Sequence, residues 1–572
     1  MNSASGKEAA GMNLTGRKRL TAISVMILLI LCLAGICSAA SAEKKTTITA
    51  CEASETSAQV VSRKNKSGTV LSIPGAWDIK NIRLSLNGQD SFKLGKNLTV
   101  DPQTPVDLTP YVGKKTPVYN LKGGSLGSIT IYQGSKIPAV FFTVNEEQLK
   151  KVNRSKNEII QEGTVIAQDA DGTVSYNGEL AHLKGRGNNT FSYSKKPYEF
   201  KLAQKADLGG MGKGKTWILL ADYLDVSLLR NRIVLDLSKE VGLPCALDCQ
   251  HADIWFNGVY QGLYLMTEKV QIKKNRVNIT DLEEKTEAVN DQPLNSYPPF
   301  DLKKGFLPIM CGYEVPNDPE DITGGYIAVI EKPHRLNSSR KPGIRTEKQL
   351  SVRIKEPTCP SPAQVEYFGR RINDMHNAVL AKDGVNPDTG MHYSEYIDMT
   401  SFARKFLIEE VSKNYDAVSG SQFFYKDSDL VDPLIYAGPS WDYDISFGSM
   451  TSRGESPEGD YMTKLRVGPT NLYSQLGKHE DFMEQVGANW REVFRPAMAI
   501  LMGETSPTGN SGLQSLDSYQ DLLKNSAAMN AARWGNTTKM SSKVGRDFNS
   551  GVKALKSWIR KRIDYLDKRY SK

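Results

Sequence analysis

The chain has 572 residues, of which 39% are hydrophobic and 24% charged, and it contains 47 glycines and 26 prolines. This composition excludes a disordered, a collagen-like or a multi-span membrane protein, and the length allows two to four domains. The formal charge of +9 is the small excess of 73 basic over 64 acidic side chains, so it does not predict nucleic-acid binding.

Residues 1–42 have the pattern of a secretory signal peptide. Basic residues 17–19 precede an apolar run, 20–34, and small residues precede a predicted cleavage after Ala42. A retained anchor helix is the alternative, but the apolar run is short for about 30 Å of hydrocarbon. A lipoprotein is disfavoured because Cys37 does not follow a small residue. We therefore expect a secreted or cell-surface protein whose mature chain carries a charge of +6 and no membrane span.

Cysteine usage leaves several states open. Five cysteines follow the predicted cleavage, and an odd number leaves at least one thiol without an intrachain partner. Cys245 and Cys249 are the only close pair. They could form a local disulfide, remain buried thiols or, with His251, contribute to a zinc site.

Residues 43–136 form the first predicted module. Short alternating runs, such as 81–86 and 128–132, are separated by turn residues. This pattern predicts a small antiparallel β-sandwich, and nothing in it indicates catalysis.

The pattern changes at residue 137, where longer strands begin. Ser227 is the predicted cap of a helix over 228–241 that ends at Gly242. Asn257-Gly258 predicts a tight hairpin between the alternating runs 251–256 and 260–268. The other predicted strands of this region are 137–144, 197–202 and 217–221.

The second half of the chain is predicted to be mainly helical. Residues 280–321 are polar and proline-containing, which favours an insertion or a long surface loop. Two further strands are predicted over 325–330 and 350–354. The predicted helical stretches are 363–380, 401–411, 482–502 and 552–569.

Acidic residues occur in two clusters near the ends of predicted elements. Asp416 follows the helix 401–411, and Asp442 and Asp444 follow the apolar run 434–436. Phosphoryl transfer needs one carboxylate to orient an acceptor hydroxyl and another to hold a divalent metal on the phosphates. Oxygen ligands suit magnesium or manganese. The alternative is that these aspartates only cap turns.

A glycine-rich segment carries a candidate phosphate site. Gly185 and Gly187 flank Arg186 after a predicted strand, and such a turn can present backbone amides and a guanidinium to phosphates. Lys201, or Lys196, could reach the same phosphates from the next strand. Solvated lysines on a strand face are the alternative.

These segments together resemble the motif series of the CotH family, the secreted and spore-coat-associated atypical protein kinases. The similarity extends from about residue 137 to the C-terminus and leaves residues 43–136 outside it. The motifs that carry it are residues 184–191, 195–202, 217–223, 229–232, 256–269, 414–416, 441–444 and 558–566.

The resemblance implies an α+β fold, in which a kinase-like domain with two lobes, about 137–270 and 271–572, follows the sandwich. It implies ATP, magnesium or manganese, and transfer to Ser or Thr of a protein substrate. Asp416 resembles the catalytic aspartate, and Asp442, with Asp444, the metal ligands. Lys201 or Lys196 resembles the phosphate-contacting lysine, and Glu268 lies in the strand expected beside adenine.

One departure from the family pattern concerns a metal ligand. An asparagine is expected just before the aromatic strand, where this chain has Ser421-Gln422. Glutamine still offers a carbonyl oxygen, but its longer side chain changes the geometry. Two other functions therefore stay open: an inactive structural or adhesive surface protein, and a carbohydrate-active enzyme using paired carboxylates.

Overall fold

The structure is a computed structural model of an α+β protein with four β-sheets. The ranges that it describes are residues 47–52, 58–65, 68–87, 90–302, 307–338, 341–417, 419–450, 455–465, 470–535 and 544–571. The predicted signal peptide lies outside them. Across these ranges, no helix has the length and apolar character needed to cross a membrane.

The N-terminal module contains two small sheets. Its strands are β1 (Ile48–Glu52), β2 (Val60–Val61), β3 (Arg63–Asn65), β4 (Gly68–Ile73), β5 (Ile82–Leu86), β6 (Phe92–Leu94), β7 (Leu98–Val100), β8 (Lys115–Tyr119) and β9 (Ser125–Gln133). The sheet orders are β2-β1-β5 and β3-β4-β9-β8-β6-β7. The module is not purely antiparallel as predicted, because β4 pairs with β9 in parallel. The long connection between these two strands permits that direction.

The second sheet system closes on itself. Its strands are β10 (Ala139–Thr143), β11 (Ile159–Ile160), β12 (Thr164–Gln168), β13 (Val174–Gly185), β14 (Tyr198–Asp207), β15 (Lys213–Leu220), β16 (Cys249–Phe256) and β17 (Val259–Glu268). Their order is β11-β13-β12-β10-β16-β17-β15-β14, and an additional β13–β14 pairing completes the ring. Apolar side chains such as Phe142, Phe200 and Met266 fill its interior.

The predicted hairpin between β16 and β17 is confirmed. Asn257 and Gly258 have φ angles of 49° and 76°, so both central residues of the turn are left-handed. Asparagine and glycine adopt this conformation at low cost, and such a turn matches the twist of the two strands.

The third sheet system has seven strands in the order β18-β19-β21-β22-β20-β23-β24. Their bounds are β18 (Pro299–Leu302), β19 (Ile309–Tyr313), β20 (Tyr326–Ile330), β21 (Gly343–Arg345), β22 (Ser351–Glu356), β23 (Phe423–Lys426) and β24 (Ile435–Ala437). Residues 280–321 are therefore not simply a surface loop, since they supply the two strands at one edge. These strands are short runs between prolines, so the sequence pattern did not predict that they pair.

Eleven helices pack around these sheets in the described ranges. They are α1 (Glu146–Val152), α2 (Arg230–Glu240), α3 (Leu282–Glu287), α4 (Pro333–Ser338), α5 (Pro362–Leu380), α6 (Met399–Ser412), α7 (Leu472–Leu476), α8 (Glu480–Asn489), α9 (Arg495–Met502), α10 (Leu516–Trp534) and α11 (Phe548–Tyr570). The helical stretches predicted in the second half are confirmed, although a π-helical turn at 490–494 separates α8 from α9.

The start of α2 differs from the prediction. Leu229, not Ser227, occupies the N-cap position, and its side chain makes no capping bond. The carboxylate of Asp225 instead accepts a hydrogen bond of 2.8 Å from the backbone N–H of Arg230 and pairs with the Arg230 guanidinium. Asp225 therefore satisfies the helix terminus in place of a capping side chain.

The five described cysteines are all free, and Cys249, Cys311 and Cys359 are buried. The local disulfide between Cys245 and Cys249 is therefore not formed. The described residues also contain no cluster of His, Cys, Asp and Glu suited to a metal ion, which removes the zinc alternative. Buried thiols are the state that the structure supports.

A buried aspartate joins the module, the closed sheet and α10. Asp253 on β16 accepts hydrogen bonds from the Tyr260 hydroxyl at 2.7 Å and the Ser526 hydroxyl at 2.6 Å. The Ser526 hydroxyl in turn accepts one from the backbone N–H of Ser135, at 2.8 Å. Burial raises the pKa of Asp253 to about 7, although Ser526, Tyr260 and Lys195 oppose the shift.

This raised pKa predicts a pH-dependent contribution to stability. The unfolded carboxyl ionises near pH 4, whereas the folded one stays protonated to about pH 7. The stabilisation from Asp253 is therefore present below pH 4 and is lost as pH rises to 7. We expect the stability of the wild type relative to Asp253→Asn, measured by urea unfolding, to fall by up to about 4 kcal/mol over this range. Asp564→Asn, at an exposed position, is the control. If stability relative to the wild type changed equally with pH in both variants, the prediction would be contradicted.

Candidate functional site

Two loops at one edge of the seven-stranded sheet carry the predicted acidic residues. Asp416 follows α6 and precedes β23, whereas Asp442 and Asp444 follow β24. Because β23 and β24 pair antiparallel, with Phe424 opposite Ala437, the start of one strand lies beside the end of the other. This antiparallel pair lies between the two acidic clusters and brings the two loops together.

Hydrogen bonds hold the two loops in a fixed relation. The Asn414 side chain donates to the carbonyl of Asp442 at 3.3 Å and accepts from the backbone N–H of Asp416 at 3.2 Å. The backbone N–H of Tyr415 donates to the carbonyl of Ile445 at 3.3 Å. Asp442 adopts a left-handed conformation, with φ of 70°, inside this framework. Such a conformation is rare for a residue with a side chain and persists where the surroundings impose it.

Two carboxylates from the closed sheet join the site. Asp222 and Asp225 follow β15, and Asp222 accepts a hydrogen bond of 2.7 Å from the side-chain amide of Asn231 on α2. The carbonyl oxygen of the same amide accepts from the backbone N–H of Tyr443 at 2.7 Å. Asn231 therefore connects Asp222 to the segment that contains Asp442 and Asp444.

These carboxylates interact electrostatically with one another. The pKa of Asp444 is raised well above its usual value by burial and then by repulsion from Asp442, Asp222, Asp225 and Asp416. Burial and repulsion from Asp225 raise the pKa of Asp222 to about 7, although Asn231 and Lys195 favour its charged form. Mutual repulsion of this kind is relieved when a cation binds.

Arg186 is the cation that faces this cluster. Its guanidinium lies over the ring of Trp441, with 4.9 Å from the guanidinium carbon to the ring centroid. Burial raises the pKa of Asp442, and the positive charge of Arg186 partly opposes this shift. The predicted glycine segment thus lies opposite Asp442, as a phosphate site between them would require.

Further cations surround Arg186. The carboxylate of Glu199 on β14 lies 3.0 Å from the Lys184 ammonium and 3.7 Å from that of Lys269. Burial alone would raise the pKa of Glu199, but His182, Lys269 and Lys184 lower it. Arg186 is attracted to the same carboxylate. This side of the site is therefore basic and suited to an anion.

The predicted lysines occupy different positions. Lys201 is exposed on β14, and the Lys196 ammonium donates to the carbonyl of Phe191 at 2.7 Å. Lys195, which the sequence reasoning missed, is buried and donates to the carbonyls of Ala221, at 2.7 Å, and Leu263. Burial lowers its pKa to about 7, against the attraction of Asp222 and Asp253. Lys195 is therefore attracted to the Asp222 carboxylate of the cluster. Neither Lys196 nor Lys201, the two predicted lysines, shows such an attraction.

Glu268 is also engaged elsewhere. It is buried, pairs with Arg276, and accepts a hydrogen bond of 2.9 Å from the backbone N–H of Asp248. This pairing stabilises the end of β17. Its proposed place beside a nucleotide remains a prediction.

Gln422 is the most unusual polar residue at this edge of the sheet. It is 1% exposed, and neither its amide nitrogen nor its amide oxygen has a hydrogen-bond partner. Its backbone carbonyl accepts from the N–H of Ile330 at 3.0 Å, which fixes the residue at the start of β23. A buried amide without partners costs free energy, so packing alone does not explain this residue.

We expect Gln422→Leu to increase the free energy of unfolding by about 1–3 kcal/mol, because it removes the unsatisfied amide at similar volume. Gln364→Leu is the matched control. That side chain is equally buried, but its amide nitrogen donates to the Thr286 hydroxyl and to Asp318, both at 2.8 Å. Urea unfolding should therefore show a higher free energy of unfolding for Gln422→Leu and a lower one for Gln364→Leu. A loss of stability in Gln422→Leu would mean that its amide is satisfied in solution.

The carboxylates and the amide of this site could hold a divalent metal only if a phosphate supplied further ligands. Among the described residues, Asp442 and Asp444 included, no three His, Cys, Asp or Glu side chains are placed to hold a metal ion by themselves. Magnesium needs only one or two carboxylates when phosphate oxygens complete its shell. Asp442, Asp444 and the carbonyl oxygen of Gln422 could hold such an ion together with a phosphate, but they do not form a complete site without it.

Several residues of the site were not identified from the sequence. Asp222, Asn231 and Lys195 lie inside motifs that the sequence analysis quoted, at 217–223, 229–232 and 195–202, but had no assigned role. One signal could have indicated Asp222: it directly follows the predicted strand 217–221 and precedes the predicted helix 228–241. Lys195 had no such signal, because burial of a lysine depends on the folded sheet.

The site thus brings together carboxylates that repel one another, a facing guanidinium and a glycine turn. The model of the family described as CotH kinase protein matches residues 183–566, about two thirds of the chain. The chain belongs to this family, as its motif series predicted. No individually curated protein matches it significantly.

Proposed function

We propose that this protein transfers the γ-phosphoryl group of ATP to a Ser or Thr hydroxyl of a protein substrate. The observation that carries the proposal is the convergence of Asp416, Asp442 and Asp444 opposite Arg186 in a chain of the CotH kinase family. In such a reaction, a bond forms between the acceptor oxygen and phosphorus, and the bond to the ADP oxygen breaks.

Asp416 is the proposed base that accepts the proton of the acceptor hydroxyl. It is half-buried on the loop after α6, so its carboxylate has access to solvent and substrate. A positioned carboxylate that accepts a proton contributes about 10²- to 10⁴-fold to rate. The fixed loop between Asn414 and Asp416 supplies the positioning.

Arg186 and the neighbouring lysines are the proposed partners of the phosphate oxygens. A guanidinium makes two parallel hydrogen bonds to a phosphate, and its stacking on Trp441 fixes its orientation. Asp442, Asp444 and Gln422 would hold magnesium or manganese, which neutralises phosphate charge when bound. Lys201, Lys196 and Glu268 remain proposed nucleotide contacts only through the family resemblance.

The proposed setting is outside the cell or at its surface, after removal of residues 1–42. This rests on the basic, apolar and small-residue pattern of the first residues. Edman sequencing of the exported protein should begin at Glu43, and a chain that begins at Met1 would contradict cleavage.

The test of the proposal is phosphate transfer from γ-labelled ATP to a serine-rich acceptor protein. We expect magnesium-dependent labelling of serine or threonine, together with a rise in melting temperature when magnesium and ATP are added together. Labelling without added metal, after chelation, would contradict the assigned roles of Asp442 and Asp444.

A second candidate, a structural surface protein without turnover, is favoured by one observation. Gln422 stands where the family pattern has asparagine, and its longer side chain changes the position of the carbonyl oxygen. In that case ATP and magnesium would produce neither transfer nor a thermal shift. Restored transfer in Gln422→Asn would show that this residue alone limits activity.

A further inference from the structure

A cavity that is separate from the carboxylate cluster lies on the other side of Tyr264. Its volume is about 440 Å³, which is within the range of small-molecule sites. The ring of Tyr264 lines this cavity, and the same ring has the Lys195 ammonium 4.5 Å from its centroid. None of the cavity's lining residues belongs to the carboxylate cluster.

The cavity is built from five separate parts of the chain, one of which is residues 194–198. The module contributes Arg63, and the end of α10 contributes Arg533 and Trp534. These two parts are joined, since the Asn65 side chain donates to the carbonyl of Ala532 at 2.7 Å. The indole N–H of Trp534 donates to the carbonyl of Gln261 on β17 at 2.6 Å. The remaining walls come from α1 and from the β16–β17 hairpin.

Its floor is aromatic. Tyr198 and Phe256 meet edge to face with centroids 5.2 Å apart, and Tyr264 lies beside Tyr198. Both hydroxyls are satisfied, because that of Tyr198 donates to Asn153 at 2.6 Å and that of Tyr264 to the carbonyl of Lys196 at 3.0 Å. The cavity therefore presents ring surfaces rather than free hydroxyls, as a flat apolar ligand requires.

The rim of the cavity carries basic side chains that no described carboxylate neutralises. The only carboxylate in the lining, Glu146, lies 3.8 Å from the Lys150 ammonium, which also contacts Glu147. Arg63 and Arg533 form no ion pair with any carboxylate of the described residues. Burial and then repulsion from Arg63 lower the pKa of Arg533 to about 10. Both guanidiniums belong to residues that line the cavity, and two such groups gain free energy when an anion lies between them.

We propose that this cavity binds a small organic anion with a flat apolar body, its acidic group between Arg63 and Arg533 and its body on the aromatic floor. Lys196 lines this cavity and is also a nucleotide contact proposed from the family resemblance, but none of the lining belongs to the carboxylate cluster, so the proposal does not depend on phosphate transfer. Neither the family model nor the motif series assigns it.

The test uses the fluorescent aryl sulfonate 8-anilinonaphthalene-1-sulfonate with the full mature chain. We expect one saturable site in the wild type, and Arg533→Gln and Arg63→Gln should each weaken binding at least about tenfold, because each removes a charged donor. Arg83→Gln is the matched control, since Arg83 is exposed on β5 of the same module and outside the cavity. It should leave the affinity unchanged.

Two further measurements separate the charge requirement from the shape requirement. The uncharged N-phenyl-1-naphthylamine should bind at least about tenfold more weakly than the sulfonate. Ser194→Trp, an exposed position on the lining, should block the cavity by volume. Near-ultraviolet circular dichroism of each variant checks that folding is retained. The proposal is overturned if the wild type shows no saturable binding, if both arginine variants bind normally, or if the uncharged probe binds as tightly.

Discussion

Asp442→Asn is expected to abolish magnesium-dependent nucleotide binding and to lower phosphate transfer by at least about 10³-fold. The substitution keeps the side-chain volume but removes the charge that would hold the metal opposite Arg186. Asp416→Asn should differ, because the proposed base acts on the acceptor hydroxyl. Transfer should fall about 10²- to 10⁴-fold while the ATP-dependent thermal shift is retained.

The contrast between these variants distinguishes the two proposed roles. Asp521→Asn is the control, since that carboxylate is 80% exposed on α10. Isothermal titration with magnesium and a non-hydrolysable ATP analogue measures binding separately from transfer. Full activity of Asp442→Asn would remove the metal assignment, and loss of nucleotide binding in Asp416→Asn would show that both residues hold the metal.

Lys405→Met is expected to lower the free energy of unfolding by about 3–5 kcal/mol. Lys405 and Glu409 pair on α6, and the side chains of both are 0% exposed. The Lys405 ammonium also donates to the Tyr443 hydroxyl at 2.6 Å. Removal of the lysine would leave the Glu409 carboxylate buried with the Tyr443 hydroxyl as a donor but without its cation, which is the costly outcome for a buried pair.

Two variants test this reasoning. The double variant Lys405→Met with Glu409→Leu should be more stable than Lys405→Met alone, because no buried charge remains. Arg370→Met is the matched control, since Arg370 and Glu366 have the same spacing on α5 but are 58% and 49% exposed. It should cost no more than about 0.5 kcal/mol. An equal cost for Arg370→Met and Lys405→Met would contradict the role of burial.

Local signals made much of the fold predictable. The turn at Asn257-Gly258 and the helical periodicity of 363–380 depend on neighbours along the chain, and both elements form as expected. Pairing between segments that are distant along the chain was harder to predict from the sequence. Nothing local in β4 and β9 indicates that they run parallel, and the edge strands β18 and β19 consist of four and five residues.

The grouping of the acidic residues was predictable from the sequence, but the burial of Lys195 was not. Asp416, Asp442 and Asp444 lie next to predicted strand or helix ends, where functional carboxylates often occur. Lys195, Lys196 and Lys201 are chemically equivalent in the sequence. Only the folded sheet buries Lys195 against the carbonyls of Ala221 and Leu263, and this burial gives it a pKa of about 7.

The joint between the first module and α10 has a consequence for the order of folding. The apolar core of the module includes Trp255 and Tyr260 from the closed sheet and Met529 from α10. Residues near position 60 therefore reach their final contacts only after residues near position 530 have been synthesised. Removal of the module would leave these side chains exposed to water, so a fragment that begins at residue 137 should aggregate. The core of the N-terminal module is therefore complete only when α10 is present.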